Sequence, residues 1–292
     1  MPGFSDPRLA DFLSHLEIEG VSRNTRLAYG RDIGGFLSWL GGKKPLALVE
    51  REDLRAFLAE KSQNRAPASQ ARLSSSLRGF FLFLFKRGEV ARNPAEKLRS
   101  PKVPKQAPAT MDENETERLL SHHFPQTPRG LRDRAMLEVL YGSGLRASEL
   151  AGLALEDLNL EEGFLRVRGK GKKDRLVPLT EAARQALADY ARRGRPRFLP
   201  KSNAFFVGKG GKGLSRQMVW RCVCQAATAA GLGRLYPHAL RHAFATHLIE
   251  HGADLRAVQM LLGHASITTT EIYTRISKKR LAELMAAHHP RG

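Results

Sequence analysis

Cysteine is the first scarcity. The chain of 292 residues contains two, too few for the disulfide framework of a secreted domain. Cys222 and Cys224 lie two positions apart in a stretch with helical spacing, so their side chains point to different faces and a bridge between them is excluded. Two free thiols suit a reducing compartment. Long apolar runs are lacking too. The most apolar stretch, Gly79 to Phe85, is far too short to span a bilayer, and the N-terminus lacks the charged-then-apolar pattern of a secretory signal. These absences predict a cytoplasmic chain without membrane contact. Acidic residues are outnumbered: 29 Asp and Glu stand against 48 Lys and Arg. No cluster of them stands out, which argues against a metal-dependent nuclease. No internal repeat is visible.

What is present is positive charge, +19 net, and it is spread along the chain. Residues 1–108 carry 19 basic and 11 acidic residues; the remainder carries 29 and 18. A protein gains affinity for DNA by replacing condensed counterions with Lys and Arg. Two basic halves suit two parts gripping one duplex better than a basic tail on a neutral enzyme. The expected partner is therefore double-stranded DNA.

The first hundred residues read as helices. Asp6-Pro7 is a cap followed by a proline at the first helical position, with Leu9, Phe12, Leu13 and Leu16 on one face. Ser22 opens a second helix, Leu54, Phe57 and Leu58 mark a third, and Leu73 to Leu84 form a fourth that Gly88 stops. Among them Arg23, Arg26, Arg31, Arg72 and Arg78 are available to touch phosphates. Residues 99–109 hold three prolines and three basic residues, the composition of a semi-rigid linker. Beyond it, Thr110 with Glu113 has the pattern of a capping box. Arg129–Tyr141 reads as a helix, and Phe164–Arg168 and Arg175–Leu179 as strands around a Gly/Lys turn. Thr180 and Ser215 open further helices, and four short helical segments run to the C-terminus. The predicted fold is mainly α with a small β-sheet: an all-helical N-terminal domain over 1–98, a linker over 99–109 and an α+β domain over 110–292.

Two motifs mislead. Gly208-x-Gly210-x-x-Gly213 matches a dinucleotide fingerprint, but positions 225–249 hold no Asp or Glu to meet a ribose. It is read as a flexible basic loop. His238 and His242 are four apart, yet Ala239 stands where a zinc protease needs Glu. Cys222-x-Cys224 has no second pair at zinc spacing. No metal and no cofactor is expected.

The informative residues lie in three phrases: Gly144-Leu145-Arg146-Ala147-Ser148-Glu149-Leu150, then Pro237-His238-Ala239-Leu240-Arg241-His242, then Leu262-Gly263-His264 with Tyr273 nine residues on. His238 and Arg241 share a face in the first turn of a helix, where free amides favour an anion. Taken singly, each is an ordinary surface His or Arg. Taken together, Arg146, Lys170, His238, Arg241, His264 and Tyr273 resemble, in order and spacing, the six-residue signature of the tyrosine recombinases, and the flanking phrases resemble the Xer branch. The resemblance covers the second part most strongly and implies a helical core-binding domain followed by a catalytic one.

What the resemblance implies is a site-specific recombinase. Tyr273 attacks a DNA phosphate, Arg146, Arg241 and His264 hold it, His238 takes the tyrosine proton, and Lys170 protonates the leaving 5′ oxygen. The intermediate is a 3′-phosphotyrosine, so rejoining needs neither ATP nor metal. The branch further implies exchange through a Holliday junction in a heterotetramer with a paralogous, XerC-like recombinase. Resolution of circular chromosome dimers at a terminus-region site, helped by a septal DNA translocase, would be its task. An integrase of a phage or mobile element, or a catalytically silent DNA-binding protein, are the competing readings. The stripe Leu281, Leu284, Met285 after the nucleophile must dock its apolar face; the resemblance implies a neighbouring subunit, and its own domain is the alternative.

Overall fold

The structure, a computed structural model, describes residues 6–62, 66–99, 111–168, 174–263 and 275–291. It divides into two compact units, Met1–Gln106 and Ala107–Gly292.

Among its described residues, the first unit is helical: α1 (Pro7–Ile18), α2 (Arg23–Leu40), α3 (Arg51–Ser62) and α4 (Pro67–Lys86). The caps are those the residue types dictate. The Asp6 carboxylate accepts from the Arg8 amide, and the Ser22 hydroxyl from the Thr25 amide. Helical spacing turns Phe12, Phe36, Phe57, Phe80 and Phe81 into one core, where most neighbouring rings meet edge to face. Two of the arginines expected to be available for phosphates are engaged with carboxylates. Arg72 donates through Nε and Nη2 to the buried carboxylate of Asp32 at 2.9 and 3.2 Å, and Arg26 pairs with Glu17 at 2.5 Å.

The second unit begins with α5 (Glu113–Ser121). The sequence pattern pointed to Thr110 with Glu113 as its capping box; Thr110 lies outside the described residues, and the box is Asp112 with Glu115. Because the helix starts at Glu113, it is Asp112 that faces the open amides, accepting from the Glu115 N–H at 2.7 Å, while Glu115 accepts from the Asp112 N–H at 3.2 Å. Next comes α6 (Pro128–Gly142), capped by Thr127 and buried along most of its length, then the single-turn α7 (Ala147–Ala151). A three-stranded antiparallel sheet follows, β1 (Leu158–Asn159), β2 (Phe164–Arg168) and β3 (Asp174–Pro178), in that order. Its register sets Leu165 opposite Val177 and Arg168 opposite Asp174. Strand β3 lies one residue earlier than expected. Strand β1 was not anticipated, since two residues are too few to show a period.

The remaining helices are α8 (Glu181–Asp189), α9 (Arg216–Ala229), α10 (Pro237–Glu250), α11 (Leu255–Leu262) and α12 (Arg275–His288). Three described helices therefore follow the Trp220 helix, where four segments were expected; residues 264–274 lie outside the described set. The Gly208–Gly213 stretch, read as a flexible basic loop, is closed by backbone hydrogen bonds. Val207 pairs with Gly213, the Gly208 N–H donates to the Lys212 carbonyl at 2.9 Å, and the Lys201 N–H donates to the Gly211 carbonyl at 2.9 Å. The stripe of α12 docks on its own unit rather than reaching outward. Met285 is 2% exposed, Leu281 and Leu284 pack beside it, and Lys278 pairs with Glu162 at 2.7 Å. Beyond the helix, Arg291 pairs with the buried Glu138 at 3.1 Å.

Candidate active site

Arg146 precedes α7 and Arg241 lies in the first turns of α10. They are far apart in sequence and are brought together by Glu149, the third residue of α7. Its carboxylate accepts from the Arg146 backbone N–H at 2.8 Å and from Arg146 Nη1 at 2.9 Å. Arg241 Nη1 stands 3.9 Å from its other oxygen. The same carboxylate receives a two-pronged bond from Arg175 of β3, Nη1 and Nη2 at 2.9 and 2.8 Å, the geometry a planar guanidinium favours. Three guanidinium groups thus stand around one carboxylate, whose side chain is 7% exposed.

Arg241 is buried, 7% exposed. Its Nη1 donates to the Gly144 carbonyl at 2.5 Å and its Nη2 to the Leu262 carbonyl at 2.6 Å. The first acceptor explains the glycine. Gly144 has φ +57°, and a Cβ there would come within 2.5 Å of the Phe244 ring, so the turn that presents its carbonyl to Arg241 needs a residue without a side chain. The second acceptor ends α11, one residue before Gly263.

The electrostatics follow from this geometry. Burial raises the Glu149 carboxyl pKa, but the hydrogen bonds and charge of Arg175, with the contacts from Arg146, overcome that and bring it down to about 2. Burial lowers Arg241 to about 10, helped by the charge of Arg146 beside it. Arg241 therefore remains a cation at neutral pH, held in a place that disfavours its charge.

His238 is exposed at the second position of α10, three residues before Arg241, and Pro237 opens the helix as the sequence suggested. Lys170, His264 and Tyr273 lie outside the described residues. The nearest described residues are Arg168 and Asp174, which pair across β2 and β3 on either side of Lys170; Gly263, which precedes His264; and Arg275, which opens α12. Sequence reasoning passed over Glu149 as mere context for Arg146, and it missed Arg175 altogether. An arginine heading the apolar Leu176-Val177 run was the only signal for the latter. Among the described residues no group of three or more His, Cys, Asp or Glu side chains is placed to hold a metal ion, and no helix is long and apolar enough to cross a membrane.

Comparison with known proteins now decides the family. The Phage integrase family profile matches residues 109–280, and the Phage integrase N-terminal SAM-like domain matches 9–88. The chain belongs to the phage integrase family of tyrosine recombinases. Within that family it is XerD-like. It is 42% identical to the tyrosine recombinase XerD of Listeria innocua over 97% of this chain and 98% of the relative. It is 44% identical to XerD of Pseudomonas aeruginosa over the full length of both. The fold resembles that of the XerH site-specific recombinase bound to a palindromic difH substrate, with TM-score 0.68 and 24% identity over 88% of this chain and 78% of that one. It also resembles the integrase of mycobacterium phage Brujita, with TM-score 0.53 and 28% identity over 98% and 94%. This tyrosine recombinase is thus a site-specific recombinase enzyme, mainly helical with a small sheet, as the sequence pattern implied.

Proposed function

We propose that the chain cleaves and rejoins duplex DNA at a specific site by attack of Tyr273 on a phosphodiester held between Arg146 and Arg241. The observation that carries the reading is the convergence of Arg146, Arg175 and Arg241 on the Glu149 carboxylate. Three guanidiniums share one carboxylate, and one of them, Arg241, is buried with its cation disfavoured. An incoming phosphate relieves that repulsion. As the tyrosine oxygen approaches phosphorus, negative charge grows on the non-bridging oxygens, and donors already fixed in place stabilise it without reorganising.

His264 adds a third donor to the phosphate. The tyrosine proton passes to His238, the P–O5′ bond breaks as the P–O bond to Tyr273 forms, and Lys170 protonates the departing 5′ oxygen. The 3′-phosphotyrosine keeps the phosphodiester energy, so attack by a 5′-hydroxyl reverses the step without ATP. The cellular task that fits best is resolution of circular chromosome dimers at a terminus-region site, in the cytoplasm. It proceeds through a Holliday junction in a heterotetramer with a paralogous, XerC-like recombinase and under control of a septal DNA translocase. The similarity to XerD relatives over nearly the whole chain supports this over the mobile-element reading.

The test begins by footprinting the chain on genomic DNA and building a nicked duplex on the site found. In excess chelator the wild type is expected to accumulate a covalent adduct. Tyr273→Phe should bind the same duplex and give none. An adduct with the Phe variant, or activity that chelator abolishes and magnesium or zinc restores, would overturn the mechanism. A footprint far from the replication terminus would overturn the dimer-resolution task.

A further inference from the structure

The geometry points to Arg175 as a positioning residue for the reaction, one that never touches DNA but fixes the groups that do. The inference rests on the reading of the site given above.

Arg175 is the second residue of β3, and its side chain is 12% exposed. Three separate pieces of chain meet at its guanidinium. Nη1 and Nη2 hold both oxygens of Glu149 at 2.9 and 2.8 Å, and Glu149 in turn holds Arg146 by backbone and side chain. Nε donates to the Leu261 carbonyl at 3.0 Å. The next carbonyl, that of Leu262, is the one that accepts from Arg241. A Cβ placed on Gly263 would stand 3.2 Å from Arg175 Cδ, so the side chain lies directly against the residue that precedes His264. Strand β3 itself begins four residues after Lys170.

A buried ion pair contributes little net stability, because desolvation offsets attraction. What this one supplies is registration. The planar fork fixes the carboxylate in two dimensions, and the third donor ties the end of α11 to the same point. Arg146 through Glu149, Arg241 through the α11 carbonyls, and the chain entering the His264 segment are all indexed to Arg175. A small displacement of reacting groups costs rate steeply. Lysine keeps the charge but, as a point donor, cannot serve both Glu149 oxygens and the Leu261 carbonyl in this geometry.

The experiment compares full-length wild type, Arg175→Lys and Arg175→Gln on the nicked duplex described above. Duplex affinity, single-turnover cleavage at saturating DNA and thermal melting are measured for each. Positioning predicts affinity within threefold of wild type for both variants. Cleavage should fall about 100-fold for Gln and about 10-fold for Lys, with both still folded at the assay temperature. If Arg175→Gln fails to fold, Arg175→Lys carries the test alone. Cleavage within threefold of wild type for a folded variant would overturn the proposal, as would a loss confined to affinity. A wild type that forms no adduct would overturn the recombination mechanism instead. The crystal structure of Arg175→Lys would then decide the present inference by itself: Arg146 and Arg241 displaced from their present partners supports it, and unchanged positions overturn it.

Discussion

The two units solve different problems. The first buries phenylalanines against one another and leaves most of its charges at the surface. Among its described residues, the buried polar groups are Asp32, Ser74 and Ser76, and only Asp32 is ionisable. The second buries Arg132, Glu138, Asp157, Arg241, His247 and His289 within or beside its core. A ring packs against any ring of similar size, so a core of that kind tolerates shifts. A buried ion holds only where its partners stand at bonding distance. The first unit is therefore built for stability through packing, and the second accepts costly buried charge in exchange for fixed geometry.

The sharpest way to break this comparison is to remove charge from the second unit. Arg241→Met keeps length and apolar stem but strips the donors to Gly144, Leu262 and the phosphate. Single-turnover cleavage is expected to fall about 10²- to 10³-fold, with duplex affinity changed less than tenfold. If cleavage survives within tenfold, buried charge is not what the second unit exists to hold. The counterpart in the first unit is Phe80→Ala, at a fully buried ring. Chemical denaturation should show a loss of about 3–5 kcal/mol, while cleavage at saturating DNA, measured where the variant is folded, stays at the wild-type rate. A cleavage defect without a stability defect would invert the assignment.

The smallest effect is a pH dependence of the second unit. Burial pushes His289 down from 6.5 to about 4, with the nearby charge of Arg291 acting in the same direction. Between those values the unfolded state binds the proton and the folded state does not. Stability should therefore fall as pH drops from 6.5 to about 4, by up to roughly 3 kcal/mol. Glu149 adds a second loss below that, as pH falls from 4.5 toward about 2. Urea titrations of the full chain across this range check it. His289→Gln, neutral at every pH, should flatten the upper window and leave the lower one. An unchanged upper window would assign the dependence to other groups.

These differences also explain what could be read ahead of the structure. Helices with strong caps and a clear apolar stripe were legible: Asp6 and Ser22 open α1 and α2, Thr180 and Ser215 open α8 and α9, and each was expected. Local hydrogen bonds and a period of 3.6 write such elements into neighbouring residues. The capping box at α5 was misplaced by two positions because Thr110/Glu113 and Asp112/Glu115 satisfy the same spacing, and only the backbone chooses. The backbone closure of the Gly208–Gly213 loop was not legible because its partners are main-chain groups that no side-chain pattern marks. The sequence left two covers open for the α12 stripe, its own domain or a neighbour, because an apolar stripe specifies that it must be covered, not by what; in this chain it packs on its own unit.

For the site, sequence alone supplied the proposed reactive residue types: Arg, Lys, His and Tyr at signature spacing, with the chemistry each side chain can do. That information lies in the side chains themselves and survives without coordinates. What only tertiary structure decided is how Arg146 and Arg241, separated by more than ninety residues, come to face one carboxylate, and that Arg175 stands behind them. Glu149 and Arg175 have no chemistry of their own that a motif would flag. Their part comes from distance, burial and the direction of a guanidinium fork, quantities that exist only once β3, α7, α10 and the end of α11 have converged.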